Sequence, residues 1–185
     1  MKIVLKILLL TCMCLIMTVS HAGTNERIPL WGSTFYGMTL KEVLASVPNA
    51  QTIPSNVQHS FLDPNAHALA KLDNLEIAGE AFNAWFIFND GKLNQVTLTL
   101  ISKVSDTGVS VQSEYLNAFY AHYSLLLSVK YGNPIKKTWQ DYAPTNVHLW
   151  NTQWAFGLAT IDLNVEKSEL EINYGAQYAD DLRKL

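Results

Sequence analysis

Cysteine is almost missing from this 185-residue chain, and its placement limits the chemistry open to the protein. The two cysteines, Cys12 and Cys14, both lie in an N-terminal apolar segment. Cleavage of that segment would leave a chain with no thiol and no disulfide. The sequence therefore excludes a cysteine nucleophile, a cysteine-ligated metal and a disulfide framework from the processed protein.

Basic residues are also few, and they are not clustered. The chain carries 13 Lys and Arg against 16 Asp and Glu, and its longest basic run is Lys136-Lys137. Removal of Lys2 and Lys6 with the N-terminal segment would take the formal net charge from −3 to −5. Nucleic acids and anionic membrane surfaces are bound through basic patches, so the sequence predicts neither as a partner.

Catalytic signatures are missing as well. No serine lies in a Gly-x-Ser-x-Gly turn, and no glycine-rich dinucleotide or phosphate loop occurs. His59, Asp63 and His67 are spaced four apart, which on a helix would align three metal ligands, but Pro64 interrupts the stretch. We interpret it as a polar loop. The sequence thus predicts no enzyme activity, no cofactor and no metal, with those three residues as the alternative metal set.

The N-terminal segment has the order of a secretory signal peptide. Two lysines precede an apolar run at residues 7–19, and Ser20-His21-Ala22 places small residues at −3 and −1 of a cut before Gly23. The run is shorter than the roughly 20 residues that a membrane-spanning helix needs. A lipoprotein signal is disfavoured because neither cysteine is well placed. We predict that residues 1–22 are cleaved after Ala22, that the product is periplasmic or secreted, and that it has no transmembrane segment.

Residues 23–185 have the length and periodicity of one α+β domain. Thr39-Leu40-Lys41-Glu42 is a capping box that opens a short helix, and Pro48 ends it. Alternating strands follow, with turns predicted at Ala78-Gly79-Glu80 and Asn89-Asp90-Gly91.

The second half of the chain repeats this order of elements. A long helix with Ser113 as its candidate N-cap is predicted to end at Tyr131, where Gly132 and Pro134 are stop signals. Strands follow to about residue 174, and residues 176–185 are predicted to form a short helix. The predicted fold class is α+β, with helices on one face of antiparallel sheet and two α-β-β-β modules in tandem, at about residues 31–104 and 110–175.

One short segment carries a family resemblance. Tyr36-Gly37-Met38-Thr39, followed by Glu42-Val43 and the Pro48 stop, resembles the opening of a module in small secreted bacterial proteins. The outer-membrane lipoproteins of the small-protein-A type carry that module, and the β-lactamase inhibitor proteins use two in tandem. The resemblance implies a helix on a small antiparallel sheet and a habit of protein binding. The lipidated cysteine of the former and the disulfides of the latter are missing here, so it transfers no functional residue.

Aromatic residues are plentiful, with five Trp and eight Tyr. Four of them fall close together in the second half, namely Trp139, Tyr142, Trp150 and Trp154. Most Trp side chains are buried in cores, but an exposed one is typical of a protein-binding anchor. We predict these four as the partner-binding residues, with at least one of the three Trp exposed on the concave sheet face.

Together these features favour a non-enzymatic periplasmic protein-binding domain. Small, acidic, secreted proteins without chemistry of their own are typical of inhibitor or immunity proteins that act on an envelope or secreted enzyme. One alternative is an assembly or structural factor of the cell envelope, and a second is a small hydrolase or metal-binding protein. The sequence leaves open the identity of the partner and the oligomeric state.

Overall fold

A computed structural model of the chain describes residues 27–54, 66–101, 109–142, 147–166 and 169–176, with the backbone alone described at 109–114, 141–142 and 147–148. The predicted signal peptide, and the predicted C-terminal helix beyond Ala176, lie outside these residues. The elements in chain order are α1 (Leu40–Ser46), β1 (Gln51–Thr52), β2 (Ala66–Ile77), β3 (Glu80–Asn89), β4 (Lys92–Leu100), α2 (Val109–Tyr131), β5 (Lys136–Tyr142), β6 (Val147–Phe156), β7 (Ala159–Glu166) and β8 (Glu169–Gly175).

All eight strands belong to one antiparallel sheet, in the order β1-β2-β3-β4-β8-β7-β6-β5. The two halves of the chain meet at its centre, where β4 pairs with β8 and Leu98 lies opposite Ile172. The short strand β1 forms one edge, and β5 forms the other. The sequence-based prediction of an antiparallel sheet is confirmed.

The predicted fold class is wrong, because the described residues do not form tandem helix-backed modules. They form a single eight-stranded sheet with two helices, and strand dominates over helix. Helix α1 has seven residues, about two turns, which is too short to cover several strands. Helix α2 has 23 residues and packs against β6, β7 and β8. The order of elements had suggested one sheet in each half of the chain, and the pairing of β4 with β8 joins the two halves into one sheet.

The helix ends follow from local sequence. At α1 the Thr39 hydroxyl accepts from the Glu42 N–H at 3.3 Å, and the Glu42 carboxylate accepts from the Thr39 N–H at 2.7 Å, so the predicted capping box is confirmed. These Thr39 hydrogen bonds lower the pKa of the Glu42 carboxyl. Helix α2 ends at Tyr131 as predicted, and Gly132 adopts the positive φ of +85° that a helix C-cap favours. Its start at Val109 places Ser113 inside the helix, so the predicted N-cap is wrong.

The core lies on the side of the sheet that α2 covers, which we call the helix side. Tyr123 of α2 packs edge-on against Phe82 with ring centroids 5.3 Å apart, and its hydroxyl donates to the Ile77 carbonyl at 2.9 Å. Ahead of α1, Trp31 contacts Phe86 with centroids 6.3 Å apart. Alternate residues of the central strands complete this core: Phe82, Ala84, Phe86, Val96, Leu98, Ile161, Leu163, Val165, Leu170 and Ile172.

Neither helix in the part of the chain that the structure describes combines the length and the apolar character that crossing a bilayer requires.

Candidate functional site

The predicted aromatic residues form a stack that runs from the core to the sheet edge. Strand register sets Trp139 of β5 directly opposite Trp150 of β6, so both side chains lie on the helix side. Their rings stack with centroids 4.5 Å apart and planes inclined by 22°. The Trp150 ring also contacts the Tyr120 ring of α2, at 5.3 Å. The core therefore fixes Trp150, and Trp150 supports Trp139.

The predicted partner-binding residues differ in how exposed their side chains are. Trp150 is 3% exposed and Trp154 is 0% exposed, whereas Trp139 is 60% exposed. Strand β6 lies under α2, which also hydrogen-bonds to it through Tyr120 and Thr152, while β5 lies one strand further out. Tyr142 closes β5 opposite Val147, and its side chain lies outside the described part of the structure.

Two further apolar side chains are about half exposed near this edge. Ile135 directly precedes β5, and its N–H donates to the Gln153 carbonyl at 2.8 Å. Phe156 ends β6 and contacts the Tyr131 ring at the end of α2, at 5.4 Å. We refer to Ile135, Trp139 and Phe156 together as the aromatic edge. The sequence-based prediction did not include Ile135 and Phe156, although their place at strand ends next to an edge strand was a usable signal.

The other side of the sheet carries a hydrogen-bonded network of polar side chains. Where β4 meets β8, Asn173 Oδ1 accepts from Thr97 Oγ1 at 2.6 Å and from Gln95 Nε2 at 3.1 Å. On β6 and β7, Asp162 Oδ1 accepts from Gln153 Nε2 at 2.8 Å. We call this surface the polar face, and its main members are Gln95, Thr97, Asn151, Gln153, Asp162, Asn164, Glu171 and Asn173.

Two carboxyl groups of the polar face have a pKa above the ordinary value for their type. Burial raises the pKa of Asp162, against the opposing effect of the hydrogen bonds from Asn151 and Gln153. Burial also raises the pKa of Glu171, and the neighbouring Glu169 adds to the effect. Lys136 lies close enough to Asp162 to oppose this rise, and the Asn173 amide hydrogen-bonds to Glu171. The sequence-based prediction did not include this network, although alternate polar positions on β6, β7 and β8 indicate a shared face.

The alternative metal set is not brought together by the described residues. His67 lies exposed on β2 opposite Phe88, and His59 and Asp63 lie outside the described part of the chain. Within the described ranges, no three His, Cys, Asp or Glu side chains gather closely enough to hold a metal ion.

Comparison of the chain with protein-family models, with curated proteins and with solved structures finds no match.

Proposed function

We propose that this chain is a non-enzymatic protein-binding domain of the periplasm, of inhibitor or immunity type, and that it docks on its partner through the aromatic edge. The observation that carries the proposal is Trp139, which stays 60% exposed while the Trp150 ring beneath it is buried. Cleavage of residues 1–22 and export to the periplasm belong to the same proposal.

An exposed Trp on a fixed support is suited to anchoring a partner. Trp is among the residues most enriched in binding hot spots, where a few side chains supply most of the affinity. The Trp139 ring stacks on Trp150, which in turn contacts Tyr120. A side chain that is already ordered loses little conformational entropy on binding, so more of its contact energy contributes to affinity.

The chemistry of the polar face favours binding over catalysis. The side chains that hydrogen-bond to Asp162 and Glu171 are the amides of Asn151, Gln153 and Asn173, and an amide neither takes nor releases a proton at physiological pH. A carboxyl group that acts as a general acid or base needs a substrate atom and a second group in a defined role beside it.

The binding proposal is tested by capturing a partner and then measuring its affinity. The tagged protein would be used to recover partners from periplasmic extract, and the recovered partner would be purified. Calorimetry would then compare the unaltered protein with Trp139→Ala and with Val129→Ala, a change at an exposed apolar position of α2 that is not a member of the aromatic edge. We expect Trp139→Ala to weaken binding at least about 30-fold, as loss of a hot spot does, and Val129→Ala to change it less than about 2-fold. Equal affinity of Trp139→Ala and the unaltered protein would refute docking through the aromatic edge.

The nature of the partner decides between the inhibitor and the assembly roles. If the partner is an enzyme, one equivalent of the unaltered protein should abolish its activity. One equivalent of the Trp139→Ala variant should leave the enzyme active. Recovery of an outer-membrane assembly complex, with no change in any enzyme activity, would support the envelope-assembly alternative instead. N-terminal sequencing of the periplasmic product should begin at Gly23, and a product that keeps residues 1–22 in the membrane fraction would contradict the proposed location.

A further inference from the structure

A cavity of about 200 Å³ lies between α2 and the helix side of the sheet, apart from the aromatic edge. Leu98 of β4 and Ile172 of β8 line it from the sheet, and Leu126 of α2 and Trp31 from the opposite elements. A dry apolar cavity of roughly 150 Å³ holds a molecule the size of benzene, so this space accommodates a short hydrocarbon chain.

The polar groups of the cavity are few, and one of them is charged. Tyr123 and Tyr174 contribute phenols to the lining, and the Tyr123 hydroxyl is already bonded to the Ile77 carbonyl. Burial raises the pKa of Tyr123 to about 12 and also raises that of Tyr174, so both phenols are neutral at physiological pH. Lys130 is therefore the one ionised side chain among the described lining residues.

The position of Lys130 places this charge at the rim. Lys130 lies in the last turn of α2 and is exposed, and its Nζ lies 5.0 Å from the centroid of the Tyr131 ring. An apolar lining with one exposed ammonium at its margin complements a molecule that has a hydrocarbon chain and one negative head group. A neutral head group gains nothing from the ammonium, and a cationic one is repelled by it.

We propose that this cavity binds a small amphipathic anion, a straight-chain carboxylate of roughly six to ten carbon atoms, with its chain among the apolar lining residues and its carboxylate on Lys130. This site does not depend on the docking role proposed above. Trp139 is not among the residues that line the cavity, so loss of one function would leave the other measurable.

A head-group series on the unaltered protein tests this inference without any variant. Titration calorimetry of the full chain would compare octanoate, octan-1-ol and octylammonium, which share one chain length. We expect octanoate to bind most tightly and octylammonium most weakly, with at least about a ten-fold span, since a charge-assisted contact is stronger than a neutral one and two like charges repel. Equal affinities for the three head groups, or no binding of octanoate at millimolar concentration, would overturn the proposal.

Two substitutions locate the bound ligand. Lys130→Met should lower the octanoate affinity to that of octan-1-ol and leave octan-1-ol unchanged, while Lys41→Met on the exposed surface of α1 should alter neither. Leu126→Trp, at a lining position that is 38% exposed, should fill the cavity and weaken both ligands at least about ten-fold. Octanoate binding that survives both Lys130→Met and Leu126→Trp at the original affinity would place the ligand elsewhere. Trp139→Ala should leave octanoate binding intact.

Discussion

Folding disfavours the ionised form of the Asp162 carboxyl. Burial raises its folded-state pKa above the ordinary value of 3.8, so the folded protein binds this proton more tightly than the unfolded chain does. The resulting contribution to stability is present below about pH 3.8 and is lost as pH rises through the folded-state pKa. At neutral pH the ionised group therefore lowers the free energy of unfolding.

Asp162→Asn should raise stability at neutral pH. An asparagine oxygen can still accept from Gln153 Nε2, and it carries no charge to desolvate. Urea unfolding between about pH 3 and pH 7 should show the gap between variant and parent growing in favour of the variant as pH rises. Asp73→Asn is the matched control, because Asp73 pairs with Lys71 on the surface at 2.7 Å and its loss should give no gain. A gap that does not change with pH would contradict the prediction.

Trp154 combines complete burial with an unsatisfied donor. Its indole N–H has no hydrogen-bond partner among the described residues, a situation that costs roughly 1–3 kcal/mol. Trp154→Phe removes that donor and also some apolar volume, so we expect the free energy of unfolding to change by less than about 1 kcal/mol. Trp154→Ala, by comparison, should lose about 3–5 kcal/mol in guanidinium unfolding. If Trp154→Phe proved as costly as Trp154→Ala, the indole N–H would have a partner.

Residue type alone could not tell which Trp is accessible. Trp139, Trp150 and Trp154 look alike in a sequence, and the difference in exposure comes from α2 covering β6 but not extending to cover β5. The alternation of β6 did contain part of the answer. Trp150, Thr152 and Trp154 share one side of that strand, so burial of one of the two Trp made burial of the other expected.

At the scale of elements, α1 depends on its cap because it has only seven residues. Thr39→Ala removes the side-chain acceptor for the Glu42 N–H and should cost about 1 kcal/mol in chemical unfolding. Thr39→Ser keeps a hydroxyl at the same position, so it should stay close to the parent. Equal losses for the alanine and serine variants would show that the Thr39 methyl group, and not the cap, stabilises this region.

Elements with strong local signals were predictable. The alternation of Val96, Leu98 and Leu100 with polar residues is typical of a strand with one buried side, as β4 is, and Gly132 marked the end of α2. The start of α2 was less predictable, because Ser113 is a good cap residue that here lies one turn inside the helix. A serine favours a cap when the chain before it is not helical, and the sequence around it did not settle that condition.

At the scale of the whole molecule, one pairing determines the architecture. Strands β4 and β8 are separated by most of the second half of the chain, and no turn or loop length links them. Local periodicity therefore predicted each strand but not the pairing of β4 with β8. Without that pairing, the repeated order of elements indicated two modules. Apolar residues that lie opposite each other, such as Leu98 and Ile172, are compatible with the pairing of β4 and β8. The same apolar positions are also compatible with other strand pairings, so the sequence alone does not select this one.

Because the central pairing joins both halves, the sheet and its core should unfold as one unit. Ile172 is buried at this junction, and Ile172→Ala should lower the free energy of unfolding by about 2–5 kcal/mol. Leu125→Ala, at an exposed position of α2, should change it by no more than about 0.5 kcal/mol.

Hydrogen exchange through the denaturant transition provides the decisive measurement for this cooperativity. The amides of β2 and β3, in the first half, should lose protection together with those of β6 and β7 in both the parent and Ile172→Ala, since a continuous core links the strands. Protection that persists in β2 and β3 after β6 and β7 have exchanged would mean that the two halves fold separately. The junction would then be an interface between two units and not the centre of one core.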